Sequence, residues 1–371
     1  MRPKTLKPTV IAWELTRSCY LSCKHCRGAA LHKDYTGEFT TDECKKVIDN
    51  IATFCRPILI MTGGEPMMRD DIFELIEYAS NLGIKPVLAT CGHMVDLETA
   101  KKLKSSGILA VSISIDGSTP EAHDDFRGIK GAYAKTMDGL NNIIEAGIPF
   151  QVNVTVTKHN VDDLPDILEK AIELGAKTLD CFFLVPTGRG SSLHDQEISP
   201  EQHEAALKWV QESSQTAPIR VKTTCAPHYA RVQKQAKSSN KPKAHPHAVK
   251  VTKNTGHPGK PGHPHGDPNY VSGGCMAGQG FVFISHRGIL QGCGFLDIPC
   301  GDLRKNSYDF KTLYLESPVF NALRKPDDYN GKCGICEFRK VCGGCRARAY
   351  AHTGNYLDEE PGCTYIPRNG K

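Results

Sequence analysis

The chain has 371 residues, of which 39% are hydrophobic, and its formal net charge is +5. This length suits one large domain with a smaller one, and the apolar fraction is sufficient for a packed core. The charge is mild and forms no basic stripe, so we expect no nucleic-acid partner. The N-terminus lacks the apolar run of a signal peptide, and no stretch reaches the roughly 20 apolar residues of a membrane span, so we expect a cytoplasmic protein.

Sixteen cysteines are present, which is a large number for a cytoplasmic protein. Because that compartment keeps thiols reduced, clustered cysteines indicate metal ligands rather than disulfides. One group lies near the N-terminus, and a second group lies between Cys275 and Cys363. The isolated cysteines are predicted to be small buried hydrophobic residues, namely Cys44, Cys55, Cys91 and Cys181.

Short β-rich runs alternate with amphipathic helical runs between residues 9 and 223. The predicted strands are 9–16, 57–62, 86–90, 109–115, 150–156 and 178–184. The predicted helices lie near 40–54, 70–82, 96–106, 133–146 and 162–175. Six strands that alternate with helices predict an α/β fold with a parallel sheet. Ligands of such folds bind at the carboxyl ends of the strands.

A CxxxCxxC motif follows the first strand and consists of Cys19, Cys23 and Cys26. Three thiolates can hold three irons of a [4Fe–4S] cluster and leave the fourth iron open for a ligand. The motif resembles that of the radical S-adenosylmethionine (SAM) superfamily. The resemblance implies an open (βα)6 barrel whose cluster binds SAM and cleaves it to methionine and a 5′-deoxyadenosyl radical. A zinc knuckle with three cysteines is the alternative.

The next motif follows the second strand and consists of Gly63, Gly64, Glu65 and Pro66. Its two glycines allow the backbone to approach a ligand closely. The stretch resembles the GGEP motif of the same superfamily, which contacts the amino end of SAM. An ordinary Gly–Pro turn is the alternative.

Polar residues near the ends of later strands extend the predicted SAM site. Ser114 and Asp116 end the fourth strand, where a hydroxyl and a carboxylate could hold a ribose. The stretch 123–128 resembles the H-D-x-x-R-G sequence of the family, in which Arg127 would pair with the SAM carboxylate. Two strand residues complete the set, namely Thr90 and Asn153. A loop salt bridge and local hydrogen bonds are the alternatives.

Arg189 lies between two glycines after the sixth strand, where it could bind an anion of the substrate or remain an exposed loop arginine. Residues 232–270 are rich in Lys, Pro, Gly and His, which predicts a flexible insertion. His228, which precedes it, could face the site. The histidines of the insertion could bind a metal or an iron porphyrin, or belong to a solvated loop: His245, His247, His257, His263 and His265.

The second cysteine group resembles the SPASM/twitch extension of radical SAM enzymes, which holds auxiliary iron–sulfur clusters. The family pattern is CxxCx5CxxxC, but the last gap here has two residues. The resemblance implies one auxiliary [4Fe–4S] cluster on Cys333, Cys336, Cys342 and Cys363. It also implies a second one on Cys275, Cys293 and Cys345, with Cys300 or Cys225 as candidate fourth ligand. Structural zinc is the alternative.

These features divide the chain into three predicted parts. Residues 1–223 form the radical SAM barrel, 224–271 form a linker with the insertion, and 272–371 form the SPASM/twitch domain.

Narrower motifs resemble the radical SAM enzymes of the siroheme-dependent haem pathway, the haem b synthases above all. They are Pro186–Gly190, Thr224–Tyr229, Gly273–Phe281 and Cys342–Tyr350. The resemblance implies oxidative decarboxylation of two propionates of Fe-coproporphyrin III to vinyl groups, which gives haem b. The implied partners are the iron-porphyrin substrate, a reducing electron donor such as flavodoxin or ferredoxin, and an electron acceptor. Cationic side chains must hold the propionates, and the candidates are Arg189, Arg17 and Arg27.

Other functions fit the same cysteine layout. A didecarboxysiroheme deacetylase and the related enzyme of denitrifiers share the haem-pathway motifs. A peptide-modifying SPASM maturase would usually carry a peptide-binding domain before the first strand, whereas eight residues precede Thr9. A non-catalytic iron–sulfur scaffold would not need an intact GGEP stretch or Asp116.

Overall fold

A sheet of ten strands with the order β10-β9-β8-β1-β2-β3-β4-β5-β6-β7 runs through the molecule. The structure is a computed structural model and describes residues 6–239 and 274–368. Neighbouring strands from β1 to β7 are parallel. The strands are β1 Val10–Thr16, β2 Ile58–Gly63, β3 Lys85–Thr90, β4 Ala110–Ser114, β5 Phe150–Val156, β6 Thr178–Phe183, β7 Arg220–Thr224, β8 Phe281–Ile284, β9 Ile289–Gln291 and β10 Gly301–Asp302.

Helices connect the parallel strands and cover the C-terminal segment. They are α1 Thr41–Phe54, α2 Ile72–Asn81, α3 Leu97–Ser105, α4 Pro120–Arg127, α5 Ala132–Glu145, α6 Leu164–Glu173, α7 Pro200–Thr216, α8 Tyr229–Ser239, α9 Phe310–Glu316, α10 Pro318–Leu323, α11 Gly331–Ile335 and α12 Arg346–Thr353. Helix α1 begins with a capping box, in which the Thr40 hydroxyl accepts from the Glu43 amide and the Glu43 carboxylate accepts from the Thr40 amide. None of the helices in the described ranges is long and apolar enough to span a membrane.

The α/β fold class is confirmed, and all six predicted strands are present. The sequence pattern missed a seventh parallel strand, β7, and the helix α7 before it. It also missed α4, which Thr119 caps by accepting from the Ala122 amide. β7 and α4 are short, and the apolar residues of α7 have only a weak helical periodicity, so the sequence pattern did not reveal these elements.

The predicted flexible insertion, 232–270, begins inside α8, so the prediction is wrong for residues 232–239. The composition of α8 is polar, but Ala230 and Val232 are buried and Arg231 pairs with Glu204 of α7. This packing holds a helix that composition alone does not favour. The histidines predicted as possible ligands in the insertion lie outside the described residues: His245, His247, His257, His263 and His265.

The C-terminal segment continues the barrel sheet. β8 pairs in parallel with β1, with Val10 opposite Phe281 and Trp13 opposite Ile284. β9 then folds back antiparallel to β8. The cysteine-rich segment is therefore joined by backbone hydrogen bonds to the strand that leads into the CxxxCxxC motif.

The two faces of the parallel sheet differ in polarity. In β5, Val152, Val154 and Val156 are buried in the hydrophobic core, while the alternating residues Gln151 and Asn153 are half-buried. Successive side chains of a strand point to opposite faces. The helices thus pack on an apolar face, and the other face is polar enough to bind a ligand.

Candidate functional site

The CxxxCxxC loop follows β1 and contains Cys19, Cys23 and Cys26. Cys19 and Cys23 are buried and Cys26 is half-buried. Each sulfur accepts one N–H group at 3.4–3.6 Å, and the donors are the Leu21 amide, the Arg127 guanidinium and the Ala30 amide. Such N–H···S bonds stabilise thiolates that ligate clusters and tune their potential.

Burial makes the thiolate forms of Cys19 and Cys23 costly in the metal-free protein. It raises the pKa of the Cys19 thiol to about 12, and it also raises the pKa of Cys23 although Arg127 opposes this. A bound metal replaces the proton and removes this penalty. Two buried sulfurs and one half-buried sulfur, each with an N–H donor, therefore fit the predicted three-cysteine cluster.

Arg189 supports this loop from the end of β6. Its Nε donates to the Cys23 carbonyl at 2.9 Å and its Nη1 donates to the Ala30 carbonyl at 2.6 Å. Gly188 next to it has φ +58°, and a Cβ there would lie 2.1 Å from the Arg27 carbonyl oxygen. The guanidinium is thus engaged with the cysteine loop, and its predicted contact with a substrate anion stays a prediction.

The GGEP stretch packs against the same loop from β2. The Glu65 amide donates to the Ser18 carbonyl at 2.8 Å, and a Cβ on Gly64 would lie 2.3 Å from that oxygen. The buried Glu65 carboxylate accepts from the Thr90 hydroxyl at 2.7 Å and from the Cys91 amide at 2.9 Å. The predicted residues Glu65 and Thr90 are therefore brought together, and they tie the ends of β2 and β3.

Asp116 and Arg127 form an ion pair at 2.7 Å in the interior. Burial raises the pKa of Asp116, but the charge of Arg127 together with His25, His123 and the Thr155 amide outweighs this effect, so the pKa lies below its ordinary value. Asp116 also accepts from the Thr155 amide at 2.7 Å. Asp116, the predicted ribose contact, and Arg127, the predicted carboxylate contact, thus pair with each other. Among the described residues, the buried Nε of Arg127 has no hydrogen-bond partner. Because buried donors are normally paired, this N–H group fits a contact with the carboxylate of a ligand.

Ser114 and Asn153 lie opposite each other on β4 and β5. The Asn153 amide group donates to the Ser112 hydroxyl at 3.1 Å, and its oxygen accepts from Gln151 at 2.8 Å. Both predicted residues are half-buried on the polar face of the sheet. The structure thus groups them beside the Asp116 end of β4.

Arg17 and Arg27 meet at a buried carboxylate that sequence reasoning missed. Glu14 pairs with Arg17 at 3.0 Å, with Arg27 at 2.9 Å and with His286 at 2.9 Å. Burial raises the pKa of Glu14, but Arg27 and the other partners hold it well below the ordinary value. The sequence feature that could have revealed this group is a glutamate inside the largely apolar strand β1. Two of the three predicted propionate partners, Arg17 and Arg27, are therefore oriented by Glu14.

Four of the C-terminal cysteines surround one cavity, as the spacing predicts. They are Cys333, Cys336, Cys342 and Cys363. Backbone amides donate to three of the sulfurs, from Glu360 at 3.3 Å, Phe338 at 3.4 Å and Gly344 at 3.4 Å. His228 lines the same cavity and therefore faces the C-terminal cysteines. Its Nε2 lies 3.0 Å from His203 Nδ1. The donor set fits a cluster with four thiolates.

The remaining predicted ligands gather around Cys345. Cys225 and Cys345 interact side chain to side chain, which raises the pKa of Cys225 and lowers that of Cys345. Burial raises the pKa values of Cys275 and Cys293, and the negative charge of a Cys345 thiolate raises them further. Cys300 instead donates to the Ile298 carbonyl at 3.6 Å. Of the two candidate fourth ligands, Cys225 is the one that joins the group.

Cys225 is also held in an uncommon backbone conformation, with φ +61°. Positive φ is rare for a residue with a side chain and marks a position that the surrounding structure over-determines. The buried Arg348 provides part of this constraint, because its Nη1 donates to the Cys225 carbonyl at 3.1 Å and to Glu360 at 3.2 Å. Sequence reasoning did not single out Arg348.

Comparisons with known proteins identify relatives along nearly the whole chain. The model of the Radical SAM superfamily matches residues 13–171. An AdoMet-dependent heme synthase from Methanosarcina barkeri (strain Fusaro / DSM 804) is 43% identical, with 98% of this chain and 98% of that protein covered. The Fe-coproporphyrin III synthase of the same strain is 31% identical, with 96% and 88% covered.

A solved structure shares the fold at low sequence identity. Streptococcus suis SuiB bound to S-adenosylmethionine superposes with a TM-score of 0.72 at 15% identity, covering 97% of this chain and 78% of that one. The similarity extends through the C-terminal segment, so it shows a common fold for barrel and cysteine-rich region together.

We expect Arg189→Met to lower the free energy of unfolding of the metal-free protein by about 1–3 kcal/mol, because two carbonyl groups lose their donor. Denaturant titration measures this change. Arg220→Met replaces an exposed arginine at the start of β7 and is the matched control, which should change stability by less than about 0.5 kcal/mol. An equal effect of both variants would contradict the positioning role of Arg189.

Proposed function

Because the chain belongs to the radical SAM superfamily and, within it, to the family of the AdoMet-dependent heme synthases, we propose that it converts two propionates of Fe-coproporphyrin III to vinyl groups. The observation that carries this proposal is 43% identity to a heme synthase over 98% of both chains. The runner-up is the deacetylase reaction, supported by 31% identity to an Fe-coproporphyrin III synthase.

The reaction requires removal of hydrogen from an unactivated carbon, which acid–base groups cannot achieve. When bound, the SAM-ligated cluster supplies a radical that abstracts this hydrogen, and an auxiliary cluster supplies an acceptor for the electron released with carbon dioxide. The protein itself must hold these groups and the substrate in order and exclude water.

The barrel residues divide this work among them. Cys19, Cys23 and Cys26 would hold three irons, with N–H donors already in place. The unpaired Nε of Arg127 would receive the SAM carboxylate next to the Cys23 sulfur. The remaining predicted SAM contacts are the polar groups at the strand ends, namely Gly63, Gly64, Glu65, Pro66, Thr90, Ser114, Asp116 and Asn153.

Two arginines would bind the propionates. Arg17 and Arg27 share one carboxylate, Glu14, so the group retains positive charge when His286 is neutral. The Arg17 side chain is 30% exposed, which leaves N–H donors available. Glu14 would act as a positioning residue that fixes both guanidinium groups for anion binding.

Two auxiliary clusters would occupy the C-terminal cysteines. One would bind to Cys333, Cys336, Cys342 and Cys363, which line a common cavity. The other would bind to Cys275, Cys293, Cys345 and Cys225, with Cys225 as the fourth ligand in place of Cys300. Structural zinc at either set is the alternative.

The test of the proposed reaction is anaerobic incubation with SAM, a reductant and Fe-coproporphyrin III, followed by mass spectrometry. We expect a loss of about 46 mass units for each propionate, which is carbon dioxide plus two hydrogens. Didecarboxysiroheme, offered in parallel, should remain unchanged. Loss of acetate side chains from didecarboxysiroheme, without vinyl formation, would favour the deacetylase.

The Cys336→Ala variant should separate the two functions of the clusters. We expect it to form 5′-deoxyadenosine but little vinyl product, because the electron acceptor is impaired. The matched control replaces Cys19, Cys23 and Cys26 by alanine together; it should retain auxiliary iron and form no 5′-deoxyadenosine. Vinyl formation by Cys336→Ala at the wild-type rate would exclude this set as the required acceptor.

A paired substitution tests the fourth ligand. Wild-type protein should bind about twelve irons after anaerobic reconstitution, and Cys300→Ala should bind the same number. Cys225→Ala should fall toward about eight irons or lose a cluster rapidly to a chelator. Iron analysis and electron paramagnetic resonance of the reduced protein measure this. Equal iron retention by the two variants would refute the assignment of Cys225, whereas about four irons together with bound zinc in the wild type would favour structural zinc.

A further inference from the structure

Two histidines and a glutamate that belong to none of the three cysteine groups lie close together near the surface. They are His194, Glu197 and His352, and their ligand atoms all lie within 4.8 Å of one another. His194 Nδ1 lies 3.1 Å from Glu197 Oε1, and His352 Nε2 lies 3.1 Å from Glu197 Oε2. The two rings meet edge to face, with 5.6 Å between their centroids.

These spacings suit a single metal ion. Zinc binds imidazole nitrogen and carboxylate oxygen at about 2.0–2.2 Å, so two ligand atoms on one tetrahedral ion are about 3.3–3.6 Å apart. Both histidine nitrogens lie 3.1 Å from a Glu197 oxygen, slightly closer than this, and each contacts a different oxygen of the carboxylate. Two imidazoles and one carboxylate are also a recurrent zinc ligand set, with water in the remaining position.

Accessibility and local charge favour a cation at this place. The Glu197 side chain is 16% exposed, and those of His194 and His352 are 55% and 33% exposed, so an ion can enter from solvent. His352 lies in the last turn of α12, where the helix dipole favours positive charge. Without a metal, hydrogen bonds between such exposed groups contribute little to stability.

We propose that His194, Glu197 and His352 bind one divalent transition-metal ion of the zinc class, which clips the β6–α7 connection to α12. The first two ligands follow Arg189, whose guanidinium holds the CxxxCxxC loop. The third lies on the helix that Cys345 caps and that Arg348 anchors to the end of β6. The ion would thus join the segment that supports the first cysteine loop to the segment that carries an auxiliary cysteine. It is a structural site and does not depend on the proposed haem chemistry.

The test uses full-length protein with its iron–sulfur clusters reconstituted, cleared of loosely bound metal and then dialysed against ZnCl2. Elemental analysis should give one zinc more for wild type than for His352→Ala, and zinc should raise the melting temperature of wild type but not that of His352→Ala. His32→Ala, which removes another exposed histidine, should bind as much zinc as wild type. The insertion histidines remain in every variant, so they cancel in the comparison.

Glu197→Gln provides a second variant that retains the shape of the side chain. We expect its zinc affinity to fall at least tenfold, while its melting temperature without zinc stays close to that of wild type. Cobalt(II), used as a spectroscopic substitute, should give visible absorption in wild type that is lost in both variants. Equal zinc content, equal cobalt spectra or an equal zinc-induced stabilisation of wild type and His352→Ala would overturn the proposal.

Discussion

Guanidinium groups that donate into backbone carbonyls hold the cysteine-bearing segments in place. Arg189 reaches from the end of β6 to the Cys23 and Ala30 carbonyls, and Arg348 reaches from α12 to the Leu184 and Cys225 carbonyls. These contacts matter because the segments are loops, whose carbonyl groups have no strand partner. A buried acceptor without a donor costs about 1–3 kcal/mol. The long, planar and permanently charged arginine side chain satisfies several acceptors from a distant element.

The same arrangement sets the electrostatics of the sulfur sites. Burial raises the pKa of the Cys19 and Cys293 thiols to about 12, so these groups are protonated in the metal-free protein at neutral pH. Metal binding must therefore release protons, and the affinity for iron should rise with pH. The positive charges of Arg127 and Arg348 partly offset the cost of the thiolates beside them. Arginine side chains and burial thus act in opposite directions on these thiolates.

Much of this organisation could be predicted from the sequence, and the rest depends on side-chain reach. Apolar runs located β1 to β6 because buried parallel strands are apolar along their length, and fixed spacings grouped Cys333 with Cys336 and Cys342. Spacing could not decide between Cys225 and Cys300, since these residues lie far apart in the chain from Cys345. The glycines that flank Arg189 after the sixth strand predict contact with a substrate anion, and only the folded chain reveals the carbonyls that its guanidinium contacts.

The pairing of β8 with β1 bears on the order of assembly during synthesis. Val10 and its partner Phe281 are separated by most of the chain, so one edge of β1 cannot pair with β8 until most of the chain has been synthesised. An unpaired apolar edge is a site of misassociation, and contacts between distant segments slow folding. The CxxxCxxC loop therefore follows a strand whose two neighbours emerge at very different times, β2 early and β8 late in synthesis.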